Sequence, residues 1–320
     1  MYQRWLAIDI GGTKILMGLL DEQAHIYQQR REPVVASRDA EACLEQIARM
    51  SQTLLKQAGL TMRDLSGIGV ACPGPLDWEQ GVVLGTPNLN WSGLSLRDQL
   101  DELFERPVYL DNDANMAACG AYAYDNPHDF QHMLYLTVST GIGGALILNG
   151  ELYRGSIGGA GEIGHMIMQP GGPRCGCGGY GCLEALASGS ALSRGLAERL
   201  AAGKAKDIAA LGYGSTPPGP PEIAAAARQG DAEALELLEP VKKYLGAGMA
   251  GLVNIFNPQC IVIGGGVGLG MADLLLPSIQ KTVNEHVFAL HRKNLQIRTT
   301  ALGDDIVLKG IVAAILNHKD

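Results

Sequence analysis

The sequence predicts an α/β protein built from two related domains. Three observations carry that prediction. The chain has 320 residues, about two domains' worth at roughly 150 residues each. Short apolar runs ending in glycine alternate with segments of helical spacing along its whole length. A strand, a glycine turn containing threonine and a second strand occur at Trp5–Leu20 and again at Leu134–Leu148, with cores DIGGTK and VSTGIGG. The pair is too divergent for a solenoid repeat. It suits two α/β domains that face one ligand across a cleft, each offering a phosphate-binding hairpin.

The elements follow in order. Trp5–Ile10 is an apolar run into Gly11-Gly12, and Ile15–Leu20 returns as the second strand of a hairpin. Asp39–Ala58 is helical, with Leu44, Ile47, Met50 and Leu54 on one face. Ile68–Ala71 is a strand stopped by Pro73-Gly74-Pro75, Leu94–Phe104 a helix, and Pro107–Leu110 a strand ending at Asp111-Asn112-Asp113. A second cycle has a helix at Ala114–Tyr124 and a strand at Met133–Ser139. Asn149-Gly150 then joins Ala145–Leu148 to Glu151–Tyr153 as a hairpin. Beyond the glycine- and cysteine-rich stretch Gly158–Cys182, Ala185–Gln229 is mostly helical, broken by the loop STPPGPPE. Ala232–Phe256 is one or two helices, Cys260–Ile263 a strand stopped by Gly264-Gly265-Gly266, and Ile306–Leu316 the last helix.

Composition removes several classes of function. Lys and Arg number 25 against 33 Asp and Glu, a net charge of −8, which repels nucleic acid and anionic membrane. No apolar run reaches the ~18 residues of a membrane span, and MYQRWLAIDIGGTK has no apolar core of a signal peptide. A cytoplasmic enzyme without nucleic-acid or membrane partners is expected. Glycine, at 43 of 320 residues, is near twice the usual ~7%, so the glycines need local reasons, phosphate-binding turns first among them.

Seven cysteines include three within eight residues, Cys175, Cys177 and Cys182. In a chain without a secretion signal that clustering is read as metal binding. With His165 they complete a Cys3His set, the closed tetrahedral pattern of structural zinc. Cys43, Cys72, Cys119 and Cys260 are read as small core residues. In Asp9-Ile10-Gly11-Gly12-Thr13-Lys14 the glycines let backbone N–H groups approach phosphate oxygens, and Thr13 adds a hydroxyl donor. A plain hairpin turn is the alternative, and the Walker A spacing is absent. Ser139-Thr140-Gly141-Ile142-Gly143-Gly144 and Gly264-Gly265-Gly266 repeat the pattern. Two G-x-G-x-x-G matches, at Gly159–Gly164 and Gly176–Gly181, lack the flanking strand and helix of a dinucleotide fingerprint, so NAD binding is rejected. Asp111-Asn112-Asp113-Ala114-Asn115 lies where a strand gives way to a helix. One of its polar residues is expected to cap, and three are more than a cap needs.

The turns DIGGTK and VSTGIGGA resemble the two phosphate loops of the actin/hexokinase-type ATPase fold. AGEIGHM with CGCGGYGCLEALASG narrows the resemblance to the ROK family of bacterial sugar kinases and repressors, and within it to the members that phosphorylate glucose. The resemblance runs from Asp9 to the LGDDIVLKG segment at Leu302–Gly310. It implies two actin/hexokinase-like (ribonuclease H-like) domains, a small one at residues 1–114 plus 305–320 and a large one at 115–304 carrying the zinc segment. It implies Mg-ATP as phosphoryl donor and the 6-hydroxyl of a hexose as acceptor, glucose favoured over N-acetylmannosamine, fructose, mannose or allose, in a homodimer or homotetramer. Asp113 matches the general base, and Asn88, Asn112, Asp113, Glu162, His165 and Glu184 match the sugar contacts. Gly11, Gly12, Thr13, Lys14, Thr140, Gly141, Gly143, Gly264 and Gly265 match the ATP and phosphate contacts, with Asp9 holding magnesium through water. Lys14 is the weakest of these, since a lysine after a turn is commonly just solvated. Gly120-Ala121 departs from the family's Gly-Glu. DNA-binding members carry a helix-turn-helix ahead of the first phosphate loop, and only eight residues precede Asp9 here, so a sugar-responsive regulator is the disfavoured alternative.

Overall fold

The computed structural model describes residues 3–86, 89–126, 130–211 and 217–317. Its chain divides into two compact units. One comprises Met1–Asp129, Glu151–Gly161 and Asp304–Asp320, the other Phe130–Gly150 and Glu162–Gly303. Among the described residues no helix is long and apolar enough to cross a membrane.

The first unit is organised by a five-stranded sheet. Its order is Ile26–Pro33, Lys14–Leu20, Trp5–Ile10, Gly67–Cys72 and Val108–Asn112. The first three strands are antiparallel, with Asp9 opposite Leu16 and Ile10 opposite Ile15. The last three are parallel, so that Asp9, Ala71 and Asp111 stand in one row. Strand alternation sends Leu6, Ile8 and Ile10 into one core and Trp5 and Ala7 into another. Both faces are therefore covered, which is why these strands are near-continuous apolar runs. Helix Ala40–Gln57 seals the first face with Cys43, Ile47, Met50 and Leu54, and Asp39 caps it by accepting from the Ala42 amide. A small sheet of Leu76–Asp77, Val82–Val83 and Leu94–Ser95 leads into helix Leu96–Phe104.

The second face is sealed by helices Asp113–Tyr124 and Ile306–Asn317, which contribute Met116, Leu308, Ile311 and Val312. They meet backbone to backbone. A Cβ on Gly310 would lie 1.6 Å from the Met116 carbonyl oxygen, and one on Gly120 2.2 Å from that of Ile306. The division expected at residues 114/115 would cut through helix Asp113–Tyr124. This packing keeps the helix with the first unit, and the division falls at 129/130.

The second unit repeats the theme. Strands Met133–Val138 and Ile142–Leu148 form an antiparallel hairpin, and Cys260–Gly264 and Gln296–Thr299 continue from Met133–Val138 in parallel. Asn149 and Gly150, both at positive φ, end the second hairpin strand as an Asn-Gly turn requires. Helices Leu183–Ala187, Gly189–Ala201, Pro220–Arg228, the single long Ala232–Phe256 and Ala272–His286 build its core around Leu134, Leu136 and Ile261.

Gly310→Ala is expected to lower the unfolding free energy by about 2–3 kcal/mol, the cost of overpacking a contact with no slack. Chemical denaturation measures this, and an unchanged midpoint would show that the helix pair can separate.

Candidate functional site

In the first unit the parallel strands deliver their carboxyl ends to one edge, where ligands of open α/β sheets bind. Asp9 is the penultimate residue of the first strand. Behind it the turn closes with the Gly11 amide donating to the Lys14 carbonyl at 2.9 Å, and a Cβ on Gly11 would come within 3.0 Å of that oxygen. Lys14 does not sit free in solvent: its Nζ pairs with Asp304 at 3.0 Å, and Arg31 joins the same carboxylate at 2.7 Å.

At the third strand's end, Asn112 is the cap the helix needs. Its side-chain oxygen accepts from the amides of Ala114 at 2.8 Å and Asn115 at 3.3 Å, leaving Asp113 at the first helical position. Asp113 Oδ1 also accepts from the Ala114 amide at 2.8 Å. The two carboxylates sense each other. Burial first, and then the charge of Asp113, raise the Asp9 carboxyl to about 7. Paired acidic oxygens are the donor chemistry of a hard cation such as Mg²⁺, whose charge would reverse that shift.

In the second unit, the Ser139 amide donates to Gly141 O at 2.9 Å, closing the second turn. The Gly189 and Ser190 amides donate to the carbonyls of Ser139 and Thr140 at 2.8 and 3.0 Å. Gly143 lies one step into the strand, opposite Thr137, rather than in the turn. Gly265, at φ +82, brings the third glycine run against the hairpin, where a Cβ would stand 2.5 Å from Val138 O. Thr140 and Gly266 line one cavity of about 710 Å³, with Ser190, Pro220, Val267 and Met271 among its walls. The mainly apolar lining with a few hydroxyl groups, among them Thr140 and Ser190, suits a nucleoside with its phosphates.

The four proposed zinc ligands converge. One donor atom from each of His165, Cys175, Cys177 and Cys182 lies within 4.8 Å of all the others. The Cys177–Cys182 sulfurs are 3.8 Å apart, and Cys175 Sγ is 3.7 Å from His165 Nδ1. Zn–S bonds of ~2.3 Å place tetrahedral ligands about 3.8 Å apart, so the residues fit the ion. His165 turns its other nitrogen, Nε2, toward Glu162 at 3.8 Å. Burial raises the Glu162 carboxyl, with His165 opposing and Glu184 adding to the effect. Glu184 accepts from the Ile142 amide at 3.0 Å and lies 3.5 Å from Cys175 Sγ, so it joins the second glycine turn to the cysteine cluster. A Cβ on Gly141 would come within 2.3 Å of its Oε2.

The first unit thus gathers Asp9, Gly11, Gly12, Thr13, Asn112 and Asp113. The second gathers Thr140 and Gly141 with the Gly264–Gly266 run, and Glu162, His165 and Glu184 with the cysteines. Asn88 lies outside the described residues. Trp91 is buried in the core, as are Cys43, Cys72 and Cys260. The sequence reading missed Arg154, whose guanidinium reaches Asp111 at 2.7 Å. Nothing in its own surroundings, Leu152–Ile157, marks it.

The ROK family model matches residues 5–319. The chain belongs to the ROK family. As a member it has the α/β fold of two actin/hexokinase-like domains. A ROK family glucokinase from Streptomyces griseus, in complex with glucose and AMPPNP, superposes with a TM-score of 0.84 at 31% identity, covering 99% of this chain and 100% of that one. A glucokinase from Streptomyces coelicolor is 34% identical over 281 residues, 87% of this chain and 86% of that protein. A xylose repressor from Caldicellulosiruptor bescii is 30% identical over 320 residues, 98% of this chain and 78% of the repressor.

Cys177→Ser is expected to leave the purified protein without stoichiometric zinc, since a closed site that loses one thiolate loses most of its affinity. Elemental analysis reads this directly, and zinc retained at one per chain would refute the ligand set.

Proposed function

We propose that this ROK protein transfers the γ-phosphoryl group of ATP to the 6-hydroxyl of a hexose, with glucose as the favoured acceptor. A sugar-kinase function is supported by the glucokinase relatives and by the ROK kinase structures. The observation that carries the reading is Asp113, set at the first turn of a helix beside Asp9, near enough for its charge to act on the Asp9 carboxyl. A sugar sensor needs contacts to hydroxyls. A kinase needs a base as well.

In this reading the Asp113 carboxylate takes the proton of the 6-hydroxyl as its oxygen bonds to the γ-phosphorus. The bond from that phosphorus to the β–γ bridging oxygen breaks, and ADP leaves. Backbone amides of Gly12 and Thr13 are assigned to phosphate oxygens, as are those of Thr140 and Gly141, while the Gly11 amide shapes its turn by donating to Lys14 O. The Ser190–Met271 cavity takes the nucleoside. A magnesium ion held through water by Asp9 would neutralise phosphate charge. Asn88, Asn112, Glu162 and Glu184 hold the sugar. With a metal held at Nδ1, His165 would carry its proton on Nε2 and donate from there. A zinc ion held by His165, Cys175, Cys177 and Cys182 would have all four positions filled by protein, and would fix the Glu162–Glu184 segment rather than take part in the transfer.

The test is ADP release from Mg-ATP with glucose, mannose, fructose, allose, glucosamine, N-acetylglucosamine and N-acetylmannosamine. Glucose preference supports the full proposal, and preference for another sugar replaces the acceptor while keeping the mechanism. Absence of turnover with every sugar would overturn the kinase reading in favour of a sugar-responsive regulator. Asp113→Asn is expected to cut kcat by about 100-fold or more while calorimetry shows sugar affinity within a few-fold. A fully active variant would remove Asp113 from the role of base.

A further inference from the structure

Asp111 is 1% exposed and directly precedes the Asn112-Asp113 pair. Its carboxylate is surrounded by donors. Oδ1 accepts from the Asn112 amide at 2.7 Å and from Asn115 Nδ2 at 2.8 Å. Oδ2 accepts from Arg154 Nη2 at 2.7 Å and from the Tyr109 hydroxyl at 3.2 Å. The same Arg154 nitrogen donates to the Tyr109 oxygen at 3.0 Å. The Arg154 guanidinium also lies 4.4 Å over the Trp78 ring.

Two features make this more than a stabilising contact. A buried ion pair is a weak source of stability, because desolvation consumes most of what attraction returns and apolar replacements of both partners often do as well. What it does supply is direction. The two donors on Oδ1 come from the residue before Asp113 and from the residue two after it, so Asp111 brackets the proposed base. Arg154 in turn donates to Oδ2 of Asp111. It reaches the first unit on a short excursion, Glu151–Gly161, turned by Gly155 and Gly158 at positive φ, where a Cβ on Gly158 would meet Trp78.

We propose that Arg154 is a positioning residue, which through Asp111 fixes the Asn112–Asp113 step and so aims the Asp113 carboxylate at the acceptor hydroxyl. This rests on the kinase reading for its chemistry and on the Asp111 contacts alone for its geometry, and the experiment separates the two.

R154M, R154K and R154M/D111N are compared with the wild-type full-length chain. R154M is expected to lower kcat by about 30- to 100-fold, the scale of an ångström-sized misplacement, with the sugar KM within about threefold. R154K should recover part of that loss, since lysine restores the charge but not the planar fork. R154M/D111N should be no slower than R154M, because the arginine acts through the aspartate. Wild-type kcat in R154M, or in R154K if R154M does not fold, overturns the proposal. So does a loss of kcat that travels with a raised KM and a lowered melting temperature, the mark of a structural role. Hydrogen–deuterium exchange of the Tyr109–Asn115 peptide answers the geometric question whether or not the protein turns over a sugar. Faster exchange there in R154M and R154K, with the rest of the first unit unchanged, supports the positioning role, and unchanged exchange defeats it. A wild-type protein inactive on the whole sugar panel counts against the kinase reading alone.

Discussion

The central strands of the first unit's sheet are covered on both faces, and this constrains everything polar in them. Leu6, Ile8 and Ile10 face one core and Trp5 and Ala7 the other, so in these strands a charged group is carried only near a strand's end. Three parallel strands end at one edge, and the polar residues stand there: Asp9 one residue before the end of the first, Asp111, Asn112 and Asp113 at the third. The glycines follow from the same constraint. Gly69 makes room for the Ile311 side chain, and Gly120 and Gly310 let two helices close the second face without a gap.

Concentrating charge at an edge has an electrostatic cost that the fold meets in different ways. Asp111 is surrounded by four donors and paired with Arg154. Asp9 is raised to about 7 by its burial and by Asp113. In the proposed kinase reading, Asp111 is neutralised by protein groups and Asp9 is left to meet a cation. Asn112 divides its labour similarly, its oxygen capping the helix while its amide nitrogen points past Gly74, where a Cβ would be 3.0 Å away.

Much of this was legible in the sequence because it is local. The hairpins declare themselves by apolar runs around glycine turns, and the cysteine cluster by spacing within eight residues. What stayed hidden was either non-local or masked by polarity. Arg154 and Asp111 are 43 residues apart, and no local pattern links them. Strand Ile26–Pro33 reads IYQQRREP because it is an edge strand with half-buried and exposed positions in alternation. It therefore lacks the apolar run that revealed its neighbours. Strand Gln296–Thr299 is a second edge strand without a buried residue. Helix Ala272–His286 buries only Leu275, Ile279 and Val283, and its internal proline obscured the period.

The return of helix Ile306–Asn317 to the first unit has a temporal meaning. The second unit is nearly continuous in the chain, and all the residues that fill its core are synthesised before Asp304. The first unit begins earlier yet cannot cover Trp5, Ala7 and Leu16 until Leu308, Ile311 and Val312 have emerged. During synthesis, when domains fold as their segments become available, the unit that starts the chain is the one that finishes last. Its open sheet face is then the surface a nascent chain must shield longest.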